Sequence, residues 1–138
     1  MSKKIAVDQT TELAMKQLGE LIAELRGQRS LRKIAEPSGI PASQLQYIER
    51  GTMAPTAEVY PKLLDVLQPN KKQRAKMDRL YMAIRKIPPP DVCELITGNP
   101  DFIHLLRVLG DSKLTKNEIN ALSASAKQKN IEGEADNG

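Results

Sequence analysis

The stretch SLRKIAEPSGIPASQLQYIERG, residues 30–51, decides how the rest of the chain reads. Ser30 carries a side-chain oxygen that can accept from orphan backbone N–H groups, which suits the position just before a helix. Leu31, Ile34 and Ala35 follow at helical spacing and predict a short helix. Pro37 is expected to shorten or kink it, because proline lacks an N–H and crowds the preceding turn. Ser38-Gly39 predicts a tight turn, with Gly39 free to take a positive φ. Pro41 then fits the first turn of another helix, where its fixed φ is already helical. That helix is expected to reach Arg50, with Leu45 and Ile48 inward and Gly51 closing it. Ala35 is the small residue at the helix crossing, and Ala42, Ser43, Gln44, Gln46 and Tyr47 fall in front or at the sides.

Outward from this stretch the helical period continues. Leu13, Ala14, Leu18, Leu21, Ile22 and Leu25 line one face of a helix expected over residues 10–28, with Asp8 or Thr10 as its cap. On the other side, Ala54-Pro55-Thr56 makes a turn, and Thr56 can cap a helix carrying Val59, Leu63, Leu64, Val66 and Leu67. Pro69-Asn70 ends it. Met77, Leu80, Tyr81, Ile84 and Ile87 form the stripe of an amphipathic helix over residues 71–87, which Pro88, Pro89 and Pro90 break. A short helical piece from Asp91 stops at Gly98. Asn99-Pro100 is expected to cap and open a helix that ends at Gly110, and Thr115 and Glu118 have capping-box spacing for a last helix to about Lys129. The expected organisation is a flexible arm (1–9), a helix-turn-helix domain (10–70), a helical extension (71–129) and a disordered tail (130–138).

Composition agrees with an all-α fold. The 138 residues are 40% hydrophobic and 28% charged, and only Tyr47, Tyr60, Tyr81 and Phe102 are aromatic. Leu, Ile, Val, Ala and Met must fill the core, and no clean period-2 run appears. Cys93 is the single cysteine, so no internal disulfide can form and a reducing cytosol is the expected home. A small, partly buried role is expected for Cys93. His104 is the single histidine and sits in an apolar run, where a structural role is expected. One Cys and one His make no zinc site of typical ligand spacing, and nothing in the chain assembles a nucleophile, a base and an orienting group. The expectation is therefore no catalysis, no metal and no cofactor. No apolar run approaches the roughly 18 residues of a membrane span. The first eight residues lack the apolar segment of a signal peptide.

Charge is unevenly spread. Residues 1–70 hold nine Lys/Arg against eight Asp/Glu, residues 71–116 ten against five, and residues 117–138 two against four. The net charge of +4 is compatible with nucleic acid but does not demand it. The basic run Lys71, Lys72, Arg74, Lys76, Arg79, Arg85 and Lys86 reads first as a solvated helix face and second as a phosphate-binding patch. Lys3 and Lys4 read first as part of a disordered terminus and second as a minor-groove arm.

The 30–51 string resembles the helix-turn-helix of the lambda/Cro-type repressors, the Xre family. The matching residues are Ile34-Ala35, Gly39, Ile40, Ser43, Leu45, Ile48, Glu49 and Gly51, with the I-E-R-G run followed by Pro55 the most telling. Leu18-Gly19, Ile22 and Leu25-Arg26 before it, and Leu63-Leu64 and Leu67 after it, extend the match over residues 18–68. Leu31 and Pro37 depart from the family's usual residues. The resemblance implies a lambda-repressor-like five-helix DNA-binding domain with a helical C-terminal extension. It implies that the helix starting near Pro41 enters the major groove of duplex DNA. Ala42, Ser43, Gln46 and Tyr47 would then face bases, while Ser30, Arg32, Lys33, Gln44 and Arg50 would reach phosphate. The implied function is a cytoplasmic, sequence-specific transcriptional regulator, most simply a repressor.

The cluster Phe102, Ile103, Leu105, Leu106, Val108 and Leu109 is too apolar for one helix face, so it must be buried in this chain or in a partner. A homodimer through the C-terminal helices is the expectation. The rival is a protein–protein module, an antitoxin or antagonist that holds its partner through the same helices. Residues 30–51 would then be a helical hairpin used for packing.

Overall fold

A computed structural model describes the backbone of residues 2–137 and the side chains of residues 9–131. The described residues form eight helices and no strand: α1 (Ser2–Arg26), α2 (Leu31–Ser38), α3 (Ala42–Arg50), α4 (Val59–Leu67), α5 (Lys71–Arg85), α6 (Pro90–Gly98), α7 (Asp101–Asp111) and α8 (Lys116–Asn137). The chain is all-α. No described helix is long and apolar enough to cross a membrane. The arm expected over residues 1–9, with Lys3, Lys4 and Asp8, and the tail expected over residues 130–138 fall almost wholly outside the described side chains.

Two compact units divide the chain, Met1–Glu94 and Leu95–Gly138. The core of the first is made by Leu18, Leu21 and Ile22 of α1, Ile34 of α2, Ile40, Leu45 and Ile48 of α3 and the turn before it, Tyr60, Leu63 and Leu67 of α4, and Met77 and Tyr81 of α5. All are buried aliphatic or aromatic side chains, each contributing about 1.5–3 kcal/mol relative to exposure. α1 is the central strut: both α3 and α5 pack on it, while α2 packs on α3 and α4. Helix α1 runs through Thr10, so that residue does not cap it.

The approach of α1 to α3 is close because Gly19 has no side chain. A Cβ on Gly19 would lie 2.6 Å from the carbonyl oxygen of Ile48, a backbone atom that cannot swing away. Beside this contact Arg26 of α1 grips Glu49 of α3 with two parallel hydrogen bonds, Nε to Oε2 at 2.7 Å and Nη2 to Oε1 at 2.9 Å. Planar guanidinium and carboxylate match each other in this forked geometry. The third guanidinium nitrogen donates to the Arg29 carbonyl, so all of Arg26 is spent on structure. Its hydrogen bonds to the Glu49 carboxylate hold the Arg26 proton more tightly than usual.

A second tie joins α4 to α5. Tyr60 and Tyr81 stack with ring centroids 4.4 Å apart and an interplanar angle of 15°. The Tyr60 hydroxyl donates to Asp78 at 2.6 Å, and Asp78 also faces Arg74. The Tyr81 hydroxyl is equally buried yet has no partner among the described protein atoms. Arg85, near the end of α5, donates to the carbonyls of Pro55 (2.9 Å) and Ala54 (3.1 Å) and so fastens the loop that follows α3.

The second unit differs in kind. Between Leu95 and Ile131 no described residue is buried. Gly110 lies inside α7 rather than ending it, and the helix stops where Ser112 turns its hydroxyl onto the Val108 carbonyl at 2.7 Å. Asn99 does not cap α7 with its side chain: its amide reaches back to the Leu95 carbonyl at 3.1 Å. His104 is exposed, contrary to the structural role expected for it. Thr115 and Glu118 form the expected capping box, with the Glu118 N–H donating to Thr115 Oγ1 and the Thr115 N–H donating to the Glu118 carboxylate. Hydrogen bonding from Thr115, its backbone N–H first, pulls that carboxyl below its usual range.

The two stacked tyrosines should respond oppositely to loss of their hydroxyls. Tyr60→Phe removes a made hydrogen bond to a charged group and is expected to cost about 1.5–3 kcal/mol, whereas Tyr81→Phe removes an unmade one and should be neutral or slightly stabilising. Burial, and for Tyr60 also the hydrogen bond to Asp78, pushes both phenols above the ordinary value of 10.0. The stability tied to their protonated forms is complete below about pH 10 and is lost as pH rises beyond it. Denaturant melts of the two variants at pH 7 and pH 11 check both points. Equal losses for the two variants at pH 7 would overturn the assignment.

Candidate nucleic-acid interface

The site is built on α3, and local chemistry fixes where that helix starts and stops. Ser30 caps α2: its Oγ accepts from the Lys33 N–H at 3.2 Å. Pro37 sits in the last turn of α2 and the helix ends one residue later, with Gly39 in the left-handed region at φ 72°. A side chain at that φ would be strained. The turn is tied by Ser38, a buried residue whose hydroxyl donates to the Ile34 carbonyl at 2.7 Å and accepts from the Ile40 N–H at 3.3 Å. Pro41 stands just before α3 rather than inside its first turn, and it caps no N–H. The N–H groups of Ala42, Ser43 and Gln44 therefore point out of the helix end with no described partner, at the positive end of the peptide dipoles.

Leu45 and Ile48 are fully buried and belong to the core behind the helix, which packs on α1 and α2. Ser43, Gln46, Tyr47 and Arg50 fall three, four and seven residues apart, which puts them in one row on the opposite face. All four are exposed, and Tyr47 keeps 48% of its surface. None of their side chains hydrogen-bonds or ion-pairs with any described residue. The row is thus a rigidly supported strip of donors, acceptors, one aromatic ring and one cation, all unspent.

The other expected contacts are placed less uniformly. Ala42 is exposed at the start of α3 and shares a shallow cleft with Arg32, Glu36, Gly39 and Pro41, so Arg32 of α2 reaches the same end of α3. The Glu36 carboxylate lies in that cleft too. Lys33 is exposed on α2 and ion-pairs with no described residue. Gln44 is half-buried on the flank of α3. Arg50 sits at the far end of the row, about 10 Å along the axis from Ser43. Ser30 is spent as a cap through its oxygen, although its O–H can still donate.

Two supporting groups escaped the reading of the sequence. Ser38 looked like an ordinary turn residue, and a buried hydroxyl has no signature in a hydropathy pattern. Arg26 and Glu49 were both visible, but 23 residues of separation hide the pair. Among the described residues no three His, Cys, Asp or Glu side chains gather as metal ligands would. Comparison with family models, with curated proteins and with solved structures finds no match to this chain.

If the outer row is free and the inner row is structural, substitutions will separate them. Ser43→Ala and Gln46→Ala are expected to change stability by less than about 0.5 kcal/mol. Leu45→Ala should cost about 2–5 kcal/mol through the cavity it leaves. Glu49→Ala should cost about 2–4 kcal/mol by stranding Arg26. Urea titration of the four variants reads all of this, and a Gln46→Ala loss as large as that of Leu45→Ala would mean that the outer face is packed.

Proposed function

We propose that this chain is a lambda-repressor-like, Xre-type helix-turn-helix regulator that binds specific duplex-DNA sequences, most simply as a cytoplasmic transcriptional repressor. The observation that supports it is the unspent row Ser43, Gln46, Tyr47 and Arg50 on a helix held rigidly from behind. The major groove, about 12 Å wide, admits a single helix, and base identity is read there by hydrogen-bonding side chains. Gln46 can bond adenine through two atoms, Ser43 can bond several base edges, and Ala42 can touch a thymine methyl. The open N–H groups at the start of α3, with Ser30, Arg32, Lys33, Gln44 and Arg50, supply phosphate contacts that fix register without reading sequence.

The second unit favours an additional partner made of protein. Leu105, Leu106, Val108, Ile119 and Leu122 are each 46–51% exposed, and no described side chain of this unit is buried. The simplest partner is a second copy, since two linked α3 helices about 34 Å apart would read a palindromic site. The same surface would serve an antitoxin or antagonist that holds a different protein.

Selection of bound sequences from a random duplex pool tests the main reading. One enriched motif is expected, and Ser43→Ala with Gln46→Ala should relax preference by about 1–3 kcal/mol at the bases they contact while the protein stays folded. A pool that emerges without any enriched sequence sinks it. Sedimentation tests the second point: a dimer is expected, reduced to monomer by Leu105→Glu with Leu106→Glu. A wild-type monomer both with and without bound DNA would leave only the foreign-protein partner.

A further inference from the structure

Helix α5 has two faces of opposite character. Met77 and Tyr81 are buried, and Leu80 and Ile84 pack on the core behind them. On the other side lie Lys72, Lys76 and Arg79, four and then three residues apart, with Lys86 one further double turn along. All four are exposed, and none ion-pairs with a described residue. Ala75 and Ala83 lie among them, and the exposed Met82 borders the stripe near its C-terminal end. The two remaining arginines of the helix are spent elsewhere, Arg74 on Asp78 and Asp91 and Arg85 on the loop carbonyls.

This arrangement works against the helix that carries it. Like charges at these spacings repel along a helix surface. Lys71 and Lys72 stand in the first turn, where no acidic residue is present and the peptide dipoles already favour an anion. The helix start is held instead by the capping box of Asn70 and Gln73. The single acid in α5, Asp78, faces Tyr60 and Arg74 rather than the stripe. No described ion pair in the first unit offsets the row, whereas a polyanion laid along it would.

We propose that Lys72, Lys76, Arg79 and Lys86 form a second, sequence-independent surface for the phosphodiester backbone of duplex DNA, separate from the α3 row. Four cations over about 21 Å of axis match a linear array of phosphates better than a compact ligand. Duplex DNA supplies such an array, at one charge per about 1.7 Å of its axis. A membrane surface fits less well, because the exposed large apolar side chains beside the stripe, Met82 and Ile87, sit together near its C-terminal end and the main apolar face of α5 is already used in the core. The choice of duplex DNA as the polyanion rests on the α3 reading, whereas the stripe itself does not.

The test uses the full chain as wild type, as K72Q/K76Q/R79Q and as the charge-preserving K72R/K76R/R79K. Lys86 stays unchanged because it holds a positive φ at the end of the helix. Binding to a mixed-sequence duplex is measured across salt concentrations. Each phosphate that is no longer neutralised should make the log–log slope shallower by about 0.9, so the neutral variant should drop by roughly 2–3 while its melting temperature equals or exceeds that of wild type and any selected motif is kept. The charge-preserving variant should keep the wild-type slope. An unchanged slope and affinity in the folded neutral variant overturn the proposal, as does failure of wild type to bind any duplex at low salt. Loss of binding to phosphatidylserine vesicles without loss of duplex binding overturns it in favour of a membrane. A wild type that selects no motif but shows the slope difference refutes the α3 reading and leaves the stripe standing.

Discussion

The seam between α1 and α3 is the contact on which the first unit depends. Gly19 lets the two helices approach until a methyl group would collide with the carbonyls of α3. Arg26 and Glu49 then lock that approach at one rotation of α3 about its own axis. Rotation matters more here than distance. A turn of one residue, about 100°, would carry Gln46 towards the core and bring Ile48 towards water. The ion pair is only partly exposed, at 23% and 10% of the two side chains, so solvent screens it less than a surface pair. Its two-point geometry resists the twist that a single hydrogen bond would allow.

Much of this unit was legible because its signals are local. The cap at Ser30, the positive φ at Gly39, the end of α3 at Gly51 and the inward pair Leu45 and Ile48 can each be read within a few residues. Where local signals competed, the reading slipped. Asn99 looked like a cap for α7 but bonds backwards to α6, because an asparagine side chain reaches a carbonyl four residues behind as readily as an N–H ahead. Gly110 looked like a stop, yet a glycine with ordinary φ carries a helix at modest cost when Ser112 can end it. Tertiary pairs were hidden altogether. No periodicity reveals that Arg85 is tied to the carbonyls of Ala54 and Pro55, 30 residues or more upstream, or that the Tyr60 hydroxyl finds Asp78 while the Tyr81 hydroxyl finds no partner among the described residues.

The two units also show how far composition alone can mislead. The second unit holds a dense apolar run, which in a sequence looks like core. No described residue of 95–131 is nevertheless buried: α7 gathers its apolar side chains on one wide face, and Leu105, Leu106 and Val108 there stay about half exposed, as do Ile119 and Leu122 of α8. The first unit has a more balanced sequence and a complete core. Core formation follows from matched faces on neighbouring helices, so a hydrophobic helix without a matching neighbour becomes a surface.

Charge follows a similar division of labour along the first unit. The outer row of α3 carries Arg50 as its only cation, with Arg32 and Lys33 beside it on α2 and Glu36 partly offsetting them. On the proposed reading such a surface would distinguish base edges but neutralise few phosphates, and phosphate neutralisation supplies most of the affinity of non-specific binding. The stripe on α5 is the reverse, rich in charge and bare of groups that read bases. Both helices pack on α1, which is held to α3 by the Arg26–Glu49 fork and to α5 through the shared core. Under the two proposals above, such a protein would separate discrimination from holding power onto two helices fixed to one strut, so that either could vary in sequence without loosening the core behind both.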